Sequence, residues 1–280
     1  MRPIISDPSL PQRNDLTRNL AATNVSLTRL ATGMRINTGA DDPAGLIASE
    51  NLRAVLAALE AETRAVERAD AVARTADGAL GEISELTRRA ESLAIANASS
   101  GGMSDAEREA NQMEIDSILQ SMDRIASTTE FNGQRLLDGT ASISLGDETV
   151  GLDSMYAGDL GDLDAGGESY DLSDVGAEGP LNIVDGDVSI AVSVIREAGA
   201  SVAAMRGRLG AFSSNSLATE RNRLGIAIEN ITAAESMIRD ADFAEETSLL
   251  TRRMLLSDSS MAAVASANAA NTPMLSLLLG

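Results

Sequence analysis

The amino-acid sequence predicts a mainly α-helical protein: a long helical hairpin or bundle that forms a rod, a terminal coiled coil, and a small acidic insert that contains β-strands. Three features favour this fold class. Apolar residues recur at helical spacing near both ends, residues 44–98 contain no proline, and residues 131–187 are rich in glycine and aspartate.

The first predicted helix carries a coiled-coil seam. Its seam positions alternate in steps of four and three, at Leu16, Leu20, Thr23, Leu27, Leu30 and Met34. We expect Gly33 and Gly39 to loosen this helix. Asp42-Pro43 then begins the next one, because Asp suits the N-cap and Pro suits the first helical position.

The longest predicted helix runs from Ala44 to about Ala98. Its apolar and small residues recur every three or four positions, at Leu52, Leu56, Leu59, Thr63, Val66, Ala69, Ala73, Ala76, Leu80, Ile83, Thr87, Ala90 and Ala94. A loop at Asn97–Met103 ends it, and Ser104 with Glu107 forms a capping box for the following helix. The short loop predicts an antiparallel helical hairpin.

The middle of the chain predicts strands and an acidic loop. Ala141–Leu145 and Leu181–Val184 are short apolar runs typical of strands. We expect residues 145–180 to project as a loop that shares no core with the helices. Six carboxylates in this region are possible calcium ligands, but they lack the spacing of a complete calcium loop, so a solvated loop is favoured: Asp159, Asp162, Asp164, Glu168, Asp171 and Asp174.

The chain is predicted to be helical again from Val188. The charged segment Ile238–Glu246 interrupts the pattern, with Asp242 and Glu245 as a helix start. A last amphipathic helix carries an apolar seam at Leu250, Met254, Met261, Val264, Leu275 and Leu278. Two apolar seams, one near each end, predict ends that meet in a multi-helix assembly.

Composition excludes several function classes. The net charge of −20 argues against a nucleic-acid-binding face. The sequence has no Cys and no His, which removes disulfides, thiolate chemistry and the commonest general base. We expect no cofactor, no metal and no enzymatic activity. No run of 18 apolar residues and no Sec-type signal peptide is present, so we expect no membrane insertion.

Motifs at both ends resemble bacterial flagellin. Arg29–Ile47 (RLATGMRINTGADDPAGLI) is similar to the family pattern RLSSGxRINxAxDDAAGLAI. Further N-terminal matches are Thr75–Ile83 (TADGALGEI), Leu93–Asn97 (LAIAN) and Thr129–Leu137 (TEFNGQRLL). The C-terminal matches are Leu209–Ala211, Asn230–Ile231, Ala233–Phe243 and Asn271–Leu278. The middle does not match. Because residues 139–187 alone would remain outside, the resemblance implies a short form without large outer domains.

The resemblance implies an architecture and a function. Residues 1–34 with 246–280 would form the inner coiled coil, and residues 35–42 with 239–245 the connecting spokes. Residues 43–138 with 188–238 would form the rod, and residues 139–187 the variable outward-facing insert. The chain would be the structural subunit of the extracellular filament used for motility. The two apolar seams would pack the polymer.

The resemblance also implies site residues and partners. The spoke or joint residues would be Arg35, Asn37, Asp41, Asp42, Arg239, Asp240 and Asp242. Arg89 and Glu114 match the positions that Toll-like receptor 5 recognises in some flagellins, with exposed or inter-subunit charges as the alternative. Other implied partners are further copies of the chain, the flagellar export apparatus, an export chaperone, and hook-associated junction and cap proteins.

Two rival functions remain at this point. A hook–filament junction protein shares flagellin-like ends, although the closing LSLL and the segment IRDADFA favour flagellin. A cytoplasmic helical scaffold or a secreted calcium-binding module is the alternative from another class, and an enzyme is more distant still.

Overall fold

The computed structural model describes residues 10–99, 103–146, 148–165 and 167–279, with side chains at all of these except 10, 12, 267, 268 and 270–279. The described chain contains the helices α1 Leu10–Thr32, α2 Pro43–Ala98, α3 Asp105–Thr128, α4 Val188–Ala211, α5 Ala218–Arg239 and α6 Phe243–Leu279. The prediction of a mainly α-helical fold is confirmed. The chain divides into a terminal unit, residues 1–59 and 227–280, and a central unit, residues 60–226.

Within the central unit, α2 and α3 form the predicted antiparallel hairpin. Ser104 caps α3, and its capping box with Glu107 is complete. The α2 seam is buried from Val66 to Ala94, and α3 and α4 contribute buried apolar residues to the same unit: Ile115, Ile118, Met122, Val194, Ile195, Val202, Met205 and Leu209. The small share of bulky aromatic side chains matches this thin, helix-on-helix core.

Three antiparallel two-stranded hairpins lie between α3 and α4. They pair β1 Glu130–Phe131 with β2 Gln134–Arg135, β3 Ser142–Leu145 with β4 Glu148–Gly151, and β5 Leu163–Ala165 with β6 Glu168–Tyr170. Strand β3 covers most of the predicted run Ala141–Leu145. Asn132 has a φ of +52° and Gly133 one of +78°, the left-handed values that a tight hairpin turn requires.

The expectation that residues 145–180 share no core with the helices is wrong. Leu152, Met155, Leu172 and Val175 are at most 1% exposed. Side chains of α3 also hold this segment: Asp123 accepts a hydrogen bond from the backbone N–H of Ala157 at 2.8 Å. The acidic composition describes the outer face of the segment, while its apolar residues belong to the central unit's core.

Leu181–Val184 is a turn and not the predicted strand. The side-chain oxygen of Asn182 accepts hydrogen bonds from the N–H groups of Val184 and Asp185, which curls the backbone. The N–H of Ile183 donates to Oε1 of the buried Gln112, at 2.8 Å. A side chain of α3 therefore takes the hydrogen bond that a neighbouring strand would have taken.

A π-helical segment, Phe212–Leu217, joins α4 to α5. The helical periodicity of the sequence did not indicate it. The continuous helical stretch Val188–Arg239 is long and apolar enough to cross a membrane, by length and composition alone. Its most apolar 18 residues have a mean hydropathy of 1.4, and 39% of them are buried. The buried core helices of other proteins are often equally long and apolar. A single such stretch among the described residues is therefore weak evidence for a membrane span.

Candidate assembly interface

In the terminal unit, α1 and α6 pack antiparallel. Asn19 donates a hydrogen bond to the hydroxyl of Ser260 at 3.0 Å, and Arg253 reaches the backbone carbonyl of Ala22 at 2.8 Å. Just past the C-terminal end of α1, the ring of Phe243 lies beside Gly33. The two predicted terminal helices therefore contact each other within one chain.

The interface between the two helices contains a polar cluster near the C-terminal end of α1 and the N-terminal end of α6. Ser26 is fully buried, and its hydroxyl donates to Oε1 of Glu246 at 2.5 Å. Arg253 donates to the same hydroxyl, and its Nη1 lies 3.6 Å from the Glu246 carboxylate. Arg29 approaches the other carboxylate oxygen at 3.5 Å. The sequence analysis did not predict this cluster. Charged residues on the otherwise apolar last helix, Arg252, Arg253 and Glu246, were the signal that could have indicated it.

Several residues of the predicted polymer-packing seams face solvent instead of each other. Leu20, Leu27, Met254 and Met261 are between 45% and 49% exposed. The remaining described seam residues are half-buried: Leu16, Leu30, Met34, Leu250 and Val264. Leu275 and Leu278 belong to α6, but their side chains lie outside the described ones. The intramolecular helix pair therefore leaves apolar surface uncovered.

The break between α1 and α2 pairs with the break between α5 and α6. Gly33 ends α1 with a φ of +72°, a common helix C-terminus, and Met34 forms an antiparallel bridge with Asp240. The N–H of Arg35 donates to the carbonyl of Arg239 at 2.6 Å, and the N–H of Ala241 donates to the carbonyl of Gly33 at 2.9 Å. We call residues 33–42 with 239–242 the joint.

Two carboxylates hold the first half of the joint. Oδ2 of Asp41 accepts hydrogen bonds from the N–H groups of Asn37 and Thr38 and from the Thr38 hydroxyl. The Thr38 N–H bond, with the hydroxyl bond next in importance, lowers the pKa of Asp41 below its ordinary value.

Asp42 caps α2 through Oδ1, which accepts from the N–H groups of Ala44 and Gly45. The Asn37 amide donates to the carbonyl of Met34 at 2.9 Å.

The second half of the joint is held by Arg35 and by side chains of α5 and its C-terminal flank. The guanidinium of Arg35 donates to the carbonyl of Ile238 at 2.7 Å. Arg239 is buried and donates from Nη1 to Glu50 of α2 at 2.9 Å. Asp240 accepts from the hydroxyl of Ser236 at 2.5 Å, and Asp242 caps α6 through the N–H groups of residues 244 and 245. These contacts involve every predicted joint residue on this side of the break.

Close packing also fixes the start of α2. Ile36 is only 2% exposed. A Cβ added at Gly45 would lie 2.6 Å from Cδ1 of Ile36 and 2.5 Å from Oδ2 of Asp42. A side chain at position 45 would therefore force the side chains of Ile36 and Asp42 to shift.

Arg89 of α2 and Glu114 of α3 form an ion pair in the central unit. Nε of Arg89 lies 2.7 Å from Oε1 of Glu114. The two side chains are 64% and 37% exposed. The neighbouring Thr87 is buried and donates its hydroxyl to the carbonyl of Ile83, so it takes no part in this surface.

Several carboxylates of the acidic insert form local contacts. Asp171 and Asp174 form a capping box around the 3₁₀ helix Leu172–Val175, and Asp159 accepts from the hydroxyl of Ser154 at 2.5 Å. Among the described residues, no three His, Cys, Asp or Glu side chains are grouped so as to hold a metal ion.

Comparison with known proteins gives a family assignment for both ends. Residues 7–142 match the family described as the bacterial flagellin N-terminal helical region, and residues 192–278 match the bacterial flagellin C-terminal helical region. The chain is 32% identical to a flagellin of Bacillus subtilis, over 95% of each chain. It is 32% identical to the flagellar filament 33 kDa core protein of Treponema phagedenis, over 93% of this chain and 95% of that protein.

A solved structure shares the fold. The structure of a flagellar hook-associated protein from Vibrio parahaemolyticus superimposes with a TM-score of 0.60 and covers 71% of this chain and 99% of that one. Its sequence identity is 17%, so the similarity extends to the fold alone.

Proposed function

Because the chain belongs to the bacterial flagellin family, we propose that it polymerises by packing the exposed apolar faces of α1 and α6 against other copies of the same chain. The chain is a structural subunit of the extracellular flagellar filament, which serves motility, and it is not an enzyme. Self-assembly follows from the family, whereas the residues that carry it are our proposal.

The observation that carries the proposal is the exposed apolar surface of the terminal helices. Leu20 and Leu27 are seven residues apart on α1, and Met254 and Met261 are seven apart on α6. A spacing of seven repeats on one face of a helix. Each Å² of apolar area that a neighbouring subunit covers contributes about 25 cal/mol. A heterologous contact that does not close on itself builds a helical polymer.

We further propose the assignment of chain segments to parts of the filament that the resemblance implies. Residues 1–34 and 246–280 form the inner coiled coil, and residues 35–42 and 239–245 the spokes. Residues 43–138 and 188–238 form the rod, and residues 139–187 face outward. The backbone hydrogen bonds of Arg35 with Arg239 and of Ala241 with Gly33 support the spoke assignment, because they join the two chain segments. Residues 1–9 of the inner segment lie outside the described residues.

The proposed partners besides the chain itself come from the family resemblance. They are the flagellar export apparatus, an export chaperone, and hook-associated junction and cap proteins. The paired terminal helices leave apolar surface exposed, so they gain further stability when a filament covers that surface. This favours assembly at the filament end over assembly before export.

Toll-like receptor 5 is a further proposed partner, through Arg89 and Glu114. The exposure of this pair on two neighbouring helices supports it. Thr87 and Ser92 stand where receptor-sensed flagellins have Leu and Glu. An ion pair that serves only the surface or a subunit contact is the competing interpretation.

Deletion of residues 246–280 tests the assembly proposal. We expect the shortened chain to keep the helical circular dichroism of its central unit but to add nothing to filament seeds, because the α6 face is gone. Electron microscopy of seeds incubated with full-length and shortened chains measures the added length. Long filaments from the shortened chain would refute the proposal.

A further inference from the structure

We propose that the polar cluster of Ser26, Arg29, Glu246 and Arg253 fixes the register of α1 against α6 and so aligns the apolar faces that assemble. This inference rests on the proposed function, since register matters for assembly only if these helices pack in the filament. The four residues are positioning residues that act within one chain.

The cluster joins both helices through one carboxylate. Glu246 accepts a hydrogen bond from Ser26 at 2.5 Å, and Arg29 and Arg253 lie 3.5 and 3.6 Å from its two oxygens. The Glu246 side chain is only 7% exposed. Arg253 is anchored in turn by the carbonyl of Ala22.

A second polar contact lies at the same register one heptad away. Asn19 is seven residues before Ser26, and Ser260 is seven residues after Arg253. The Asn19 amide donates to the Ser260 hydroxyl at 3.0 Å. Both contacts form together in one alignment of the antiparallel helices and are lost together in any other.

The energetic consequence of a slip is concentrated in this cluster. A slip of one turn moves α1 by about 5.4 Å along α6. It would leave the carboxylate of Glu246 buried without its arginines, and an unpaired buried charge is strongly unfavourable. Apolar contacts are non-directional, so the exposed faces discriminate poorly between registers. A single buried polar position sets the register of many coiled coils in the same way.

The absence of cysteine from the sequence permits a direct test by disulfide cross-linking. A disulfide forms only when the two Cα atoms lie within about 7 Å. The double variant Asn19→Cys with Ser260→Cys reports the observed register. Thr23→Cys with Ser260→Cys reports a slip of one turn. Each pair is made in full-length chains, assembled on seeds and oxidised. Non-reducing electrophoresis separates intramolecularly linked monomers from linked dimers, and peptide mass spectrometry identifies the disulfide in the monomer band.

Each cysteine pair is placed in the native background and in a background with Ser26→Ala, Arg29→Leu, Glu246→Leu and Arg253→Leu. In native filaments we expect cross-linking of the Asn19 pair only. In the apolar background we expect the yield of the slipped product to rise about tenfold, because apolar replacement keeps the helix pair but removes its selectivity. An apolar background that still cross-links only in the observed register would overturn the inference.

A milder variant decides the question if the apolar background does not assemble. Glu246→Gln keeps the size of the side chain and a hydrogen bond to Ser26 but removes the charge. We expect it to raise the slipped product about threefold, with the exposed neighbour variant Glu245→Gln unchanged as the control. An unchanged yield in Glu246→Gln would overturn the register role. Failure of the Asn19 pair to cross-link in native filaments would instead overturn the α1–α6 pairing of the proposed function.

Discussion

Short polar side chains decide where the backbone of this chain starts and stops its helices. Asp42, Ser104 and Asp242 each accept hydrogen bonds from the first N–H groups of a helix, which have no partner within the helix itself. All three were predictable, because a cap is a local feature of the sequence. The cluster around Glu246 was not, because its partner Ser26 lies 220 residues away and only the helix pairing brings them together.

The pKa of Asp41 predicts a pH dependence of the joint. Hydrogen bonds to the carboxylate lower its pKa in the folded chain below the ordinary value of 3.8. The stabilisation is therefore fully present above the unfolded pKa and is lost as the pH falls through the folded pKa. We expect the wild type to melt at a higher temperature than Asp41→Asn at pH 6, with the difference shrinking below about pH 4.

Thermal melts of both chains, followed by circular dichroism across this pH range, measure the effect. A difference between wild type and Asp41→Asn that stays constant down to pH 2 would contradict it, because the Asp41 charge would then make no contribution.

At the scale of elements, periodicity located the helices but not the packing of the segment between α3 and α4. The bounds of α2 and the break before α6 follow from proline, glycine and cap positions in the sequence. The alternation at Leu181–Val184 is too short to separate a strand from a turn that is buried against a helix. Only the three-dimensional position of Gln112 decides between them, since its side chain binds the backbone of Ile183.

The buried apolar residues of the insert predict a stability contribution. Leu172 is 1% exposed, so Leu172→Ala should lower the free energy of unfolding by about 2–5 kcal/mol, because it leaves a cavity in the core. Glu168→Ala, on the exposed strand β6, is the matched control and should change it by at most about 0.5 kcal/mol. Urea unfolding followed by circular dichroism measures both. Equal stabilities for the two variants would restore the picture of a projecting loop without a shared core.

At the scale of the whole molecule, charge opposes assembly while apolar burial drives it. The net charge of −20 is repeated in every subunit. Among the described residues, most arginines already pair with carboxylates of the same chain, such as Arg206 with Asp77 and Arg221 with Asp70. These paired arginines are less available to attract the acidic surface of a neighbouring subunit.

This balance predicts that salt accelerates polymerisation. The screening length falls from about 30 Å at 0.01 M salt to about 10 Å at 0.1 M, which weakens the repulsion but hardly affects apolar burial. Elongation from a fixed number of seeds should therefore be faster at 0.3 M than at 0.01 M salt, and fastest with sulfate, which also strengthens apolar association. Faster growth at low salt would mean that arginine–carboxylate pairing between subunits dominates.

The central claim is that the exposed apolar face of α1 packs on other copies of the chain, and one substitution tests it most directly. Leu27→Asp places a charge on that face, and burying an unpaired charge is strongly unfavourable. Asn24→Asp adds the same charge at an exposed polar position on the same helix. Seeded elongation, measured as filament length by electron microscopy, should stop for Leu27→Asp and continue for Asn24→Asp. Filaments of normal length from Leu27→Asp would contradict the claim.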